Sequence, residues 1–122
     1  MGKPYRSGKV WPTVEVTFES SKLQKVCSST VSMTKTYGPD CAKRLRTRLA
    51  ALEAVDDVAE LFGLPGRWHP LRANLIGLVS ADLVHPLRLL VGPTDSGDSD
   101  EPTNWALVTR VTVVGIEDTH EG

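Results

Sequence analysis

Val14, Val16 and Phe18 alternate with Thr and Glu along residues 13–18, TVEVTF. A period of two with one apolar set predicts a strand that buries one face. Glu19, Ser20 and Ser21 then supply cap side chains, and residues 22–32 are expected to form a short helix that turns Leu23 and Val26 inward. Tyr37-Gly38-Pro39-Asp40 is a turn and a helix start, since proline suits the first helical turn. Beyond it the period changes to that of a helix. Ala42, Leu45, Leu49 and Leu52 fall on one face; Val55, Val58 and Leu61 extend that helix or build a second short one, and Gly63 and Pro65 stop it. Past Pro65 the apolar runs shorten. Residues 75–82 and 87–91 are expected as strands, with Leu83-Val84-His85-Pro86 as the turn between them. The polar, acidic stretch 93–104, PTDSGDSDEPTN, is expected as a loop. Residues 106–118, ALVTRVTVVGIED, are apolar on both faces in their middle and predict an inner strand.

This order of elements, without internal repeats, predicts an α+β fold. An N-terminal strand and two helices would pack on a small antiparallel β-sheet. Residues 13–122 would form one domain, with residues 1–12 as a flexible N-terminal arm of mixed Gly, Pro, Lys and Arg.

A chain of 122 residues with 40% hydrophobic content is the size of one domain. It contains no apolar run long enough to span a bilayer. Its first residues lack the apolar stretch of a signal peptide, so a cytoplasmic protein is expected. Cys27 and Cys41 offer neither a disulfide framework nor a zinc spacing, and they fit a reducing compartment. The formal net charge of −1 hides an asymmetry. Residues 1–50 carry ten Lys/Arg against three Asp/Glu, and residues 51–122 carry four against twelve. Lys43, Arg44, Arg46 and Arg48 crowd the polar side and flanks of the long helix. These four are the candidates for binding RNA through its phosphates, and such a face also suits plain solvation.

Three histidines, His69, His85 and His120, show no metal-ligand spacing. Neither a GxSxG elbow nor a cysteine–histidine context points to a nucleophile. What remains is a set of imidazoles and guanidiniums in the strand-rich half: His69, Arg72, Arg88, Asp118 and His120. Histidine exchanges protons near neutral pH, and arginine grips phosphate with paired hydrogen bonds. Gathered in one concavity, they would suit metal-free RNA cleavage. A base takes the 2′-OH proton, the oxygen attacks the adjacent phosphorus, and an acid protonates the leaving 5′-oxygen. Each residue also has an alternative as an ordinary packed or solvated group.

The segments VEVTFESSKLQKVC, YGPDCAKRLRTRLAAL, LPGRWHPLRANLIG, GLVSADLVHPLRLLVGP and VTRVTVVGIEDTH follow in this order over residues 14–120. The series resembles the HigB-like toxins of the RelE superfamily. That resemblance implies a compact RelE-like α+β fold. It also implies a ribosome-dependent mRNA endonuclease, cleaving to a 2′,3′-cyclic phosphate without metal or other cofactor and so inhibiting translation. The implied partners are the ribosome with its mRNA and a HigA-like helix-turn-helix antitoxin encoded nearby, which links the toxin to operator DNA. His69 falls at the family's motif histidine and Arg72 at its motif lysine. Arg88 falls at the strand arginine, and Asp118 and His120 at the terminal acid and histidine. Pro70 would fix a turn presenting His69 and Arg72 together. Thr119 stands where the family has tyrosine, so an aromatic surface for base stacking is missing. The alternative is a non-nuclease of the same fold: a ParE-like gyrase inhibitor or a degenerate antitoxin-binding protein.

Overall fold

The computed structural model describes residues 14–72, 75–94 and 104–118. Strand β1 (Glu15–Phe18) leads into three α-helices, α1 (Ser21–Val26), α2 (Thr30–Tyr37) and α3 (Pro39–Ala54). A 3-10 helix, Val58–Gly63, precedes β2 (His69–Pro70), β3 (Val79–Asp82) and β4 (Arg88–Pro93). A short 3-10 turn, Trp105–Leu107, leads to β5 (Arg110–Glu117).

The helical half departs from the expected pair of helices at one place. The stretch foreseen as a single helix over 22–32 is broken at residues 27–29. Ser29 adopts an extended conformation and its side chain accepts from the Ser32 amide, so it caps a new helix. Ser20 caps α1 in the same way through the Leu23 amide. Pro39 opens α3, and Asp57 caps the 3-10 helix through the Glu60 amide. α3 buries Cys41, Ala42, Leu45, Arg48 and Leu52.

The five strands lie in the order β1-β5-β4-β3-β2. The sheet is mixed, not antiparallel as expected: β1 runs parallel to β5, and the other neighbours are antiparallel. A parallel pair needs a long connection, and nearly the whole chain lies between β1 and β5. β5 is an inner strand, as its two apolar faces suggest. β3 starts at Val79 rather than 75, because Gly77, at φ 98°, and a bond from the Leu78 amide to the Leu75 carbonyl form a turn there. Pro70 does not sit in a turn. It lies in the two-residue strand β2 at the sheet edge, where a missing N–H costs no ladder bond.

One face of the sheet supplies the core. Val79, Ala81, Leu89, Val91, Val111 and Val113 pack with Leu45 and Leu52 of α3 and with Val58, Leu61 and Trp68. Strand alternation sends the intervening residues to the reverse face, and that face carries the polar side chains of interest.

Candidate functional site

His69 stands opposite Ser80, Ser80 opposite Leu90, and Leu90 opposite Gly115. Directly opposed residues of antiparallel strands project to the same side. These four therefore form one row across the reverse face. The neighbouring row is Asp82, Arg88 and Glu117. Between Leu90 and Val91 the register shifts, leaving Val114 of β5 as the additional residue of a bulge.

His69 is half-buried and held at both ring nitrogens. Its Nε2 lies 3.3 Å from the Ser80 hydroxyl and its Nδ1 3.3 Å from the Pro70 carbonyl. A carbonyl only accepts, so Nδ1 donates to it, and Nε2 of the neutral ring accepts from Ser80. Ser80 is fully buried, so its oxygen is closed to a substrate and its task is to orient the ring. A hydroxyl can donate or accept, so it keeps a bond to Nε2 in either protonation state of the imidazole.

In the next row, the Asp82 carboxylate lies 3.6 Å from Arg88 Nε and 3.8 Å from Arg67 Nη1. Arg88 is 25% exposed and Arg67 76% exposed. Arg67 holds a left-handed backbone at φ 55°, uncommon without glycine. Arg88 is two strands from His69 and two residues out of register with it, roughly 12 Å at about 4.8 Å per strand and about 3.4 Å per residue. Glu117 leans back along β5: a Cβ added at Gly115 would lie 2.7 Å from Glu117 Oε2. Its carboxylate therefore overhangs the row that begins with His69.

The remaining sequence candidates are placed as follows. Arg72 is exposed just past β2, and Asp118 is exposed just past β5. The acid that faces Arg88 in the sheet is Glu117, one residue before Asp118. His120 lies outside the described residues. The structure thus brings His69 and Arg88 onto one face and adds Ser80, Asp82 and Glu117. The sequence pattern did not single out those three, because strand register is not written in any one strand. Among the described residues, no group of three His, Cys, Asp or Glu is arranged to hold a metal.

The four cations of α3 do not form one stripe. Lys43 and Arg44 are exposed and line a cleft with Arg48, whereas Arg46 lines a groove beside β1 with Val16, Phe18 and Glu53. Arg48 is only 9% exposed, and its Nε donates to the Asp82 carbonyl at 2.8 Å. Burial and the nearby Arg44 charge push its pKa below the usual guanidinium value, and Asp82 opposes them. The spacing Leu45, Arg48, Leu52 is the signal that could have found it, since i, i+3, i+7 puts Arg48 on the apolar face of α3. Gly66 makes room for it. With φ 118°, this glycine sits where a Cβ would lie 2.7 Å from Arg48 Nε. Both cysteines are free, and burial raises the Cys27 thiol pKa. No helix among the described residues is long and apolar enough to cross a membrane.

Compared with known proteins, the chain matches no family model, no curated protein and no solved structure.

Proposed function

We propose that the chain is an endoribonuclease of the toxin class, cutting mRNA by attack of the ribose 2′-oxygen on the adjacent phosphorus. The observation that carries this reading is the placement of an oriented imidazole, His69, and a guanidinium, Arg88, on the same face of the sheet. The order of segments resembling HigB-like toxins supports it. The α+β architecture, with helices and core on one side of the sheet, is compatible with it.

In this reading Nδ1 is the working nitrogen of His69. Its bond is to the exposed Pro70 carbonyl, whereas Nε2 faces buried Ser80. This step uses the other tautomer: the Nδ1–H bond to the Pro70 carbonyl is given up, Nε2–H donates to the Ser80 hydroxyl, and the freed Nδ1 lone pair takes the 2′-OH proton. The new O–P bond forms, the bond to the 5′-oxygen breaks, and the leaving oxygen takes a proton from a second carrier. His120 is the residue that the resemblance assigns to that second transfer, with Asp118 beside it. Arg88 and Arg72 stabilise the charge that builds on the phosphate oxygens. The product would be a 2′,3′-cyclic phosphate. The ribosome would present the mRNA, and a HigA-like antitoxin would hold the toxin in check and connect it to operator DNA.

The test is expression in cells with mapping of mRNA ends. Wild type should arrest growth and leave new ends within translated codons, and His69→Ala and His120→Ala should each lower cleavage by about 10²-fold or more. Growth arrest without new mRNA ends would overturn the nuclease reading in favour of a target such as gyrase. Full cleavage by both variants would overturn the site.

A further inference from the structure

α3 and the turn between β3 and β4 enclose a cleft of about 520 Å³ lined by Asp40, Lys43, Arg44, Thr47, Arg48 and Val84. Its anchor is the buried Arg48. A guanidinium carries five N–H donors in a fixed fork. The Nε donor of Arg48 goes to the Asp82 carbonyl. The donors on its terminal nitrogens have no hydrogen-bond partner among the described residues. Among the described residues, Arg44, on the same side of α3, reaches only the Leu83 carbonyl, at 3.4 Å. The Thr47 hydroxyl donates to the Lys43 carbonyl, which leaves its oxygen as an acceptor.

The charge in the cleft is unbalanced. Among the described residues, Lys43, Arg44 and Arg48 line it against a single lining carboxylate, Asp40. The Asp82 carboxylate is turned to Arg67 and Arg88 on the reverse face. Arg44 and Arg48 are close enough for the charge of one to disfavour the charge of the other. Two guanidiniums held together with spare donors and a nearby ammonium match a tetrahedral oxyanion, which accepts paired N–H bonds and offsets their repulsion.

We propose that this cleft binds a phosphate group, with Arg48 as buried anchor, Arg44 as second fork and Lys43 as point charge. The site is separate from the His69 face, and its existence does not depend on RNA cleavage. The phosphate could belong to a nucleic-acid backbone or be free in solution.

The full-length, 15N-labelled chain is titrated with sodium phosphate and, at equal ionic strength, with sodium chloride. NMR follows the arginine Nε–Hε signals and the Thr47 and Val84 amides. Saturable shifts at Arg44, Arg48, Thr47 and Val84 with phosphate alone are expected, and Arg44→Ala should weaken binding about 10-fold, the loss of one charge-assisted bond. Equal shifts with chloride, no saturation, or unchanged binding by Arg44→Ala would overturn the proposal. Arg48→Lys keeps the charge without the fork and should also weaken binding; should it unfold the chain, the exposed Arg44 position decides. A single-stranded oligonucleotide made wholly of 2′-deoxyribose, hence uncleavable by 2′-OH attack, separates the sources. Shifts of the same signals at lower concentration than phosphate assign the site to a backbone phosphate, and weaker binding assigns it to the free ion. A carboxylate-rich peptide that saturates these signals where phosphate does not would overturn the assignment to phosphate.

Discussion

On the reverse face of the sheet the Asp82 carboxylate lies between Arg67 and Arg88, and Glu117 stands opposite Arg88 in β5. On the helix side the same residue offers only its backbone carbonyl, to Arg48. Cations on the first side are partly neutralised and partly exposed, so an incoming phosphate competes with carboxylates already there. Those on the second side are oriented by carbonyl oxygens, with Asp40 in the cleft and the Asp82 charge near Arg48 balancing them only in part. The difference separates two tasks. The reverse face suits a group that must bind and release as chemistry proceeds. The cleft suits a group that is simply held.

The largest expected effect breaks the helix side of that comparison. Gly66→Ala forces a side chain onto a residue at φ 118° and drives its Cβ to within 2.7 Å of Arg48 Nε. The neighbour cannot easily yield, because Arg48 is buried and its Nε is bonded to Asp82. We expect a loss of about 2–4 kcal/mol in urea unfolding, combining backbone strain with overpacking. A loss below about 1 kcal/mol would show that Arg48 moves freely and anchors nothing.

On the reverse face, Arg88→Ala should lower mRNA cleavage about 10²-fold, and Arg72→Ala by a similar factor, as for loss of a group that stabilises transition-state charge. Stability should change less than for Gly66→Ala, since the Asp82–Arg88 pair at 3.6 Å is partly exposed. Unchanged cleavage with either substitution, measured on mapped mRNA ends, would make that arginine a surface residue.

How much of this was legible in the sequence depends on whether the information is local. The β1 alternation, the helical period of α3 and the apolar middle of β5 all state which side is buried, and each corresponds to an element of the fold. The break between α1 and α2 is less legible, because serines cap helices and also occur within them. Ser28 and Ser29 give no local reason to prefer one outcome. The parallel pairing of β1 with β5 depends on contacts across almost the entire chain. The same limit applies to the site. His69 stood out by its setting in GRWHPLR, but Ser80 and Glu117 acquire meaning only from the registers His69 to Ser80 and Arg88 to Glu117. Arg48 was legible and misplaced: its charge suggested an outer face, while its spacing from Leu45 and Leu52 put it on the inner one.

Ser80 tests whether His69 is held or merely nearby. Ser80→Ala removes the partner of Nε2 and leaves the Pro70 carbonyl as the only acceptor for the ring. We expect cleavage to fall about 10-fold, the value of one hydrogen bond. The 15N shifts of the ring should also change, because the balance of tautomers loses its Nε2 partner. A purely packing role would alter stability and leave those ring shifts unchanged.

The smallest effect sharpens the comparison at a second glycine. Gly115→Ala also brings a Cβ to 2.7 Å of a charged side chain, here Glu117 Oε2. The distance equals that at Gly66, but the circumstances differ. Gly115 is not among the positive-φ glycines described, and the atom approached is the end of an exposed side chain that can rotate away. An alanine also suits a strand interior better than glycine does. Stability should therefore stay within about 0.5 kcal/mol of wild type by urea unfolding. The moved carboxylate would no longer overhang the row of His69 and Ser80, so any change in cleavage at unaltered stability reports on Glu117. That change should vanish when Gly115→Ala is made in a Glu117→Gln background. A destabilisation as large as that of Gly66→Ala would mean that Glu117 is as firmly held as Arg48, and the contrast between the two sides of Asp82 would fail.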